Sequence, residues 1–223
     1  MYLALGLFMK TLQIDIVSDV VCPWCAIGFA NLNTALKELD DPIEAQIKWH
    51  PFQLNPYMSK EGQDINEHLA EKYGLSESKL AENKQHIRQI GQNSGVDFKF
   101  DQRARIYNSL DCHVLLHWAG EKNKQTQLKM ALFKAYFSEG KDISQQEVLL
   151  DVVISVGLDK QQAQTVLKDE QYKSAVKDEE SKYKSMGIQS VPAFIINNEY
   201  LLSGGQPSDV FKQSLKDILA KGW

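Results

Sequence analysis

Cys22-Pro23-Trp24-Cys25 places two of the chain's three cysteines within four residues. Two thiols three residues apart on a helical turn can come within bonding distance, so the pair suits reversible disulfide chemistry or half of a metal site. A thiolate, not a thiol, attacks a disulfide. It forms most readily at a helix N-terminus, where unpaired N–H groups and the macrodipole favour negative charge. The flanking sequence puts the motif at such a place. Leu12-Gln-Ile14-Asp-Ile16-Val17 alternates apolar and polar and predicts a strand. After it, Cys25, Phe29, Leu32, Leu36 and Leu39 fall on one helix face, and Pro23 suits the first turn, where its missing N–H costs nothing. Cys22 is therefore expected to attack with a lowered pKa. Cys25, which begins the apolar stripe, is expected to be more buried and to resolve the mixed disulfide. A zinc site needs about four ligands. Only Cys112, beside His113, remains, with no second C-x-x-C, so no metal is expected.

Composition bounds the rest. The 223 residues carry 25 Lys+Arg against 29 Asp+Glu, a net charge of −4, which leaves no electrostatic footprint for nucleic acid or anionic membrane. With 43% hydrophobic and 24% charged residues the chain reads as globular, and its length fits one to two domains. Three cysteines are too few, and odd in number, for a disulfide scaffold. The apolar stretch Met1–Phe8 has no preceding Lys or Arg and is far short of the roughly 20 residues that span a bilayer. Met9-Lys10-Thr11 reads as the working start, so deletion of residues 1–8 is expected to leave fold and activity intact. A cytoplasmic location is expected.

Ala45-Gln-Ile47-Lys-Trp49 predicts a second strand and, with the first strand and helix, a βαβ unit. From Glu61 to Met186 there is no proline and the periodicity is helical. Ser144-Gln-Gln-Glu147 reads as a capping box ahead of Val148, Leu149, Val152 and Val153, with Gly157 placed to end that helix. Tyr107, Leu110, Val114 and Trp118 form another stripe, Leu128, Leu132 and Ala135 a third, and Gly187 closes the last helix of the block. Ala193–Asn197 and Glu199–Ser203 flank Asn197-Asn198 as a hairpin, Gly204-Gly205 breaks it, and Pro207 opens a final helix. The expected architecture is α/β. Residues 9–60 and 187–223 make one discontinuous sheet domain, and residues 61–186 form an inserted all-helical domain.

Strand, Cys22-Pro-Trp-Cys25, helix and the distant Ser190-Val191-Pro192-Ala193 resemble the thioredoxin superfamily, and the long helical insertion resembles its DsbA-like branch. More narrowly, Ser18-Asp-Val-Val-Cys22-Pro-Trp-Cys25-Ala-Ile-Gly28, Phe52-Gln-Leu-Asn-Pro56 and Leu202-Ser-Gly-Gly-Gln-Pro207 resemble the FrnE-type subgroup, with the likeness running from Met9 onward. The resemblance implies a thioredoxin-like fold and a thiol–disulfide oxidoreductase whose catalytic residues are Cys22 and Cys25. It implies a cis Val191–Pro192 bond beside them and contact of Pro23, Trp24, Val191 and Pro192 with substrate, the Val191 backbone pairing with an extended chain. No bound cofactor is implied beyond the Cys22–Cys25 disulfide. The partners are protein or small-molecule thiols and disulfides, glutathione among them. One departure stands out: relatives bury a carboxylate six residues before the first cysteine, where this chain has Ile16, with Asp15 and Asp19 out of phase. The Pro-Trp pair brings no charge to the thiolate, so an oxidant milder than one at about −120 mV is expected. The same fold also carries glutathione-dependent kappa-class transferases and 2-hydroxychromene-2-carboxylate isomerases, which usually have serine at the Cys22 position. They supply the alternative reading. His50 reads as packing or surface, and Cys112 as a small buried hydrophobe. Asn108, Ser109 and His113 read as polar residues on a helix surface, or else as lining for a cleft over the site.

Overall fold

The structure, a computed structural model, describes residues 10–40 and 43–221. The expectation for residues 1–8 lies outside them. Strand β1 (Lys10–Ser18) leads into helix α1 (Pro23–Lys37) and strand β2 (Ile43–Pro51), which pairs parallel to β1 with Ile14 opposite Ile47 and Val17 opposite His50. The chain returns to this sheet only with β5 (Ala193–Ile196) and β6 (Tyr200–Ser203), before the final helix α9 (Ser208–Lys221). The order is β2-β1-β5-β6, with β5 antiparallel to both β1 and β6. Front and back of the sequence thus share one sheet, as the resemblance requires.

The alternation that marks β1 holds only for its first half. Gln13 is exposed, but from Ile14 to Ser18 every residue is buried, because helices cover both faces where the strand approaches the CPWC turn. That is the more enclosed pattern of a central strand.

Between β2 and β5 run α2 (Ile65–Tyr73), α3 (Glu77–Asn93), α4 (Leu110–Glu121), α5 (Gln125–Phe133), α6 (Gln146–Ser155), α7 (Lys160–Lys168) and α8 (Glu170–Ser185). The stretch is not all helical. Gln63–Asp64 (β3) and Arg105–Ile106 (β4) form a short antiparallel ladder, fixed where the Arg105 guanidinium donates to the carbonyls of Glu61 and Gly62. Two-residue strands carry too little periodicity to be read from sequence. The capping box also fails to form. Asp142 Oδ1 accepts the Ser144 N–H and hydroxyl at 2.9 and 2.6 Å, so the serine is engaged upstream and the helix starts at Gln146 with no side-chain cap. Gly157 (φ +78°) and Gly187 (φ +91°) end their helices as expected. Tyr107, Asn108 and Ser109 precede α4 rather than lie on it, and α5 runs on through a wider π turn at Lys134–Ser138 that carries Ala135.

Helices α4, α5 and α8 pack on β2, and α1 packs on α9. One apolar cluster runs from Ile14, Ile16 and Leu32 through Trp49 to Leu115, Leu132 and Leu149, so the helical stretch and the sheet share their buried surface. The hairpin turn forms at Asn197 and Asn198 (φ 52° and 57°), residues that tolerate the left-handed region. A Cβ on Gly28 would lie 3.0 Å from the Phe194 ring, and one on Gly205 2.9 Å from the Trp24 carbonyl oxygen. Both glycines are close-approach positions that seat the CPWC helix against the C-terminal loop. The Asn31 amide adds a 2.8 Å hydrogen bond to the Gln206 carbonyl.

Candidate active site

Cys22 is the N-cap residue of α1, extended at φ −94° and ψ 113°, with Pro23 beginning the helix. Its carbonyl accepts the Cys25 N–H at 3.1 Å, and its own N–H donates to the Asp19 carbonyl at 3.3 Å. The two sulfurs therefore face each other across one helical turn, both as free thiols. Cys22 is 4% exposed and Cys25 fully buried, the expected order. The Cys22 thiol also donates to the Val191 carbonyl at 3.7 Å, across 169 residues of sequence, and the Val191–Pro192 bond is cis. Of the residues expected to meet substrate, Pro23, Trp24 and Val191 are half-buried beside the cysteines. Pro192 is buried, and its carbonyl already accepts the Gly204 N–H at 2.8 Å.

The charge in the reduced pair is not where the helix terminus alone would put it. The Cys25 contact, then burial, push the Cys22 thiol well above its ordinary value. Burial opposes ionisation of Cys25, but the Cys22 S–H, the Lys129 charge and the Ser18 hydroxyl together hold Cys25 below the ordinary thiol value. Two thiols in contact lose their protons in two steps that belong to the pair. The first is eased because the remaining S–H can donate to the thiolate. Cys112 is separate. It is fully buried on α4, its S–H directed at the Ile143 carbonyl at 3.9 Å, and burial pushes its thiol far up, as fits a small hydrophobe.

Around the pair lie charged groups from elements distant in sequence. Asp19, fully buried, accepts from the Leu54 N–H at 2.8 Å, the Val21 N–H at 3.4 Å and His113 Nε2 at 3.3 Å. Although burial opposes it, these bonds hold its carboxyl below the usual range. Ser109 and His113 are each 3% exposed, so neither lies on a helix surface; both face Asp19, and His113 also lines a cavity of about 10 Å³ with His50, His117 and Lys129. The Phe52-Gln-Leu-Asn-Pro56 segment gains its meaning here. Glu180 accepts the Gln53 N–H at 2.7 Å while Asp19 accepts that of Leu54, so two buried carboxylates hold its backbone. Asn108 ties down the carbonyls of Pro56 and Met58. Beyond this loop opens a groove of about 530 Å³ bordered by Asn55, Tyr57, Met58, Gln63 and His68.

His50 is buried packing in part only. Nε2 meets Asp15 at 2.6 Å and Nδ1 meets Glu179 at 2.7 Å, and Glu179 continues to His117 Nδ1 at 3.3 Å. Against burial, the two carboxylates raise the His50 pKa; the hydrogen bond that His117 donates to Glu179 raises that of His117, and, although burial opposes it, the histidines hold Glu179 down at about 2. Lys129, on α5, is 1% exposed, its ammonium 5.2 Å from the Trp49 ring centre and 5.1 Å from that of Phe133. Sequence reasoning missed Lys129, His117 and Glu179. A signal existed for Lys129: it stands among Leu128, Leu132, Phe133 and Tyr136, on helix positions that are otherwise apolar and buried. Among the described residues no group of three or more His, Cys, Asp and Glu side chains is arranged to hold a metal ion.

Comparison with known proteins places the chain. It is 27% identical over 209 residues to the uncharacterized protein YwbO of Bacillus subtilis (strain 168), covering 93% of this chain and 97% of that one. The probable DsbA oxidoreductase SCO1869 of Streptomyces coelicolor superposes with a TM-score of 0.89 at 26% identity, over 95% of this chain and 92% of that one. Two more distant structures share the fold. They are the cytosolic disulfide reductase DsbM of Pseudomonas aeruginosa with GSH (TM-score 0.63, 19% identity, 93% and 99% covered) and a 2-hydroxychromene-2-carboxylate isomerase (TM-score 0.70, 14% identity, 94% and 97% covered). The model of the DSBA-like thioredoxin domain matches residues 13–216, nearly the whole of the described chain, and the protein belongs to that family.

Proposed function

We propose that this protein is a thiol–disulfide oxidoreductase working through Cys22 and Cys25. The observation that carries the reading is the pair itself: two thiols sharing a helix start, both buried, with Cys22 the less enclosed and against the Val191 backbone. A proton moved along the S–H···S contact places the charge on Cys22, the less enclosed sulfur. Its electron pair forms a bond to one sulfur of a substrate disulfide, and the other substrate sulfur leaves as thiolate. Cys25, deprotonated in turn, bonds to Cys22 and expels the second sulfur. Run backwards, with a substrate thiolate attacking Cys22, Cys25 is the leaving group, and its lowered pKa speeds departure. Pro23, Trp24 and Val191 supply the surface on which an extended substrate lies, with Pro192 beneath it.

The substrates are protein or small-molecule disulfides, with glutathione as the accessible small thiol. A DsbM structure with GSH on this fold supports that choice, and its description as cytosolic agrees with the sequence expectation of a cytoplasmic protein. Among the described residues no helix is long and apolar enough to cross a membrane. The fold alone does not separate an oxidoreductase from an isomerase, since both occur on it. The residues do. A glutathione transferase or isomerase needs only to stabilise one thiolate, and a second cysteine three residues on would divert it into a disulfide.

The test is turnover of insulin and of glutathione disulfide by the wild type, Cys22→Ser and Cys25→Ser. Activity in the wild type and none in Cys22→Ser supports the reading. Full activity in Cys22→Ser overturns it.

A further inference from the structure

The loop that follows the Phe52-Gln-Leu-Asn-Pro56 segment holds an aromatic ring out in solvent: Tyr57 is 99% exposed. Its backbone is nevertheless fixed. The Met58 N–H donates to the Asn55 carbonyl at 3.1 Å, and the Asn108 amide donates to the Pro56 and Met58 carbonyls, one on each side of Tyr57, at 3.1 and 3.3 Å. An aromatic presented on a rigid turn forgoes apolar burial in the free protein and binds with little ordering cost. Tyr57 borders the groove of about 530 Å³ together with Leu54, Asn55, Met58, Gln63 and His68. That groove is joined to the cysteines by direct contacts. The Leu54 N–H donates to the Asp19 carboxylate at 2.8 Å, and the Asp19 carbonyl accepts the Cys22 N–H at 3.3 Å. Leu54 and Val191 both pack on the cluster of Val17, Phe52 and Ala193, and the Val191 carbonyl meets the Cys22 thiol.

The chemistry of the walls selects the occupant. Among the described residues the lining contains no carboxylate, lysine or arginine. The neighbouring cations are spent on the protein: Lys72 Nζ donates to the Leu54 carbonyl at 2.9 Å and to Asn55 Oδ1 at 2.8 Å, and Arg105 donates to the carbonyls of Glu61 and Gly62. Burial, then the Lys72 charge, hold His68 below its ordinary value, so it is neutral at pH 7. Glutathione brings two carboxylates and an ammonium group, and desolvating a charge without a partner is costly. An uncharged peptide brings amides, which the Asn55 NH2 group can meet, and side chains that suit a tyrosine ring beside an adaptable methionine. Resting on the disulfide-exchange reading, we propose that this groove binds an extended, uncharged segment of a protein substrate next to its disulfide cysteine, taking a large apolar side chain between Tyr57 and Met58. Tyr57 is then a specificity residue that favours protein disulfides over glutathione disulfide.

The test measures binding without exchange. Short peptides with blocked termini, serine in place of the cysteine, and Phe, Ala or Glu at each flanking position in turn are titrated into the protein and followed by backbone amide NMR shifts, with S-methylglutathione alongside. The best Phe peptide should give saturable shifts at Met58, Gln63 and His68, with a Kd about tenfold below that of its Ala counterpart and the Glu peptide and S-methylglutathione weaker still. Tyr57→Ser, which removes a ring that packs on almost nothing in the free protein, should erase most of that preference. Equal binding of the Phe and Ala peptides, shifts confined to other residues, or an undiminished preference in Tyr57→Ser overturns the proposal. S-methylglutathione binding these residues as tightly as the Phe peptide does so too, and would make the groove a glutathione subsite. No thiol reacts in this titration, so failure of the oxidoreductase reading would appear in the insulin assay and not here.

Discussion

Two buried polar clusters lie close together under the helices, and they are finished differently. At Asp15, His50, Glu179 and His117 each polar side chain has a partner of opposite character at 2.6 to 3.3 Å. At Cys22, Cys25 and Lys129 the partners are a shared proton, a carbonyl at 3.7 Å and aromatic rings. The paired cluster clamps β1, β2, α4 and α8 together. The unpaired one stores the capacity to change charge. Buried polar groups are ordinarily satisfied, so the incompletely satisfied cluster is where the chemistry is expected.

The largest effect should come from the unpaired side. Cys22→Ser should reduce disulfide turnover to background while the urea midpoint stays close to wild type, since serine nearly matches the shape of the buried thiol it replaces. Breaking the paired side should do the reverse. His50→Ala leaves the Asp15 and Glu179 carboxylates without their shared cation and should cost about 3–5 kcal/mol in urea unfolding, with turnover per folded molecule largely kept. A comparable fall in turnover would erase the distinction between the clusters.

The same network sets a pH window. The carboxyls of Asp15 and Glu179 are lowered by folding, so their contribution is complete above the unfolded carboxylate range and fades as pH falls through their folded values, near 2 for Glu179. His50 and His117 are raised, so theirs is complete below the unfolded value of 6.5 and is lost as pH rises through the folded values. Wild type should therefore be most stable between about pH 5 and 6.5, and urea midpoints of His50→Phe should fall less than those of wild type from pH 6.5 to 9. The smallest effect belongs to Cys112→Ala, a loss of about 1 kcal/mol from a small void, with turnover unchanged.

How legible each cluster was follows from its range in sequence. Cys22, Pro23 and Cys25 were readable because strand, motif and helix are contiguous, and a three-residue spacing is itself geometry. The sheet was readable from two alternating segments at the front and a hairpin marked by Asn197-Asn198 at the back. The His50–Glu179 pairing spans 129 residues, and no local pattern announces it. Ser144 shows the opposite failure: a motif legible in sequence lost to Asp142, two residues upstream. The surroundings of the thiol pair were, like the His50–Glu179 pairing, too distant in sequence to be readable: Asp19 is met by His113, 94 residues away, and Cys22 by Val191, 169 residues away.

The central claim is that Cys22 attacks and Cys25 resolves. It is tested most directly by incubating Cys25→Ser with glutathione disulfide or an unfolded disulfide-bonded protein and mapping the adduct by mass spectrometry without reductant. The account predicts one stable mixed disulfide, on Cys22, that the wild type does not accumulate. An adduct on Cys112, or none on Cys22 under conditions where the wild type turns over, would contradict it.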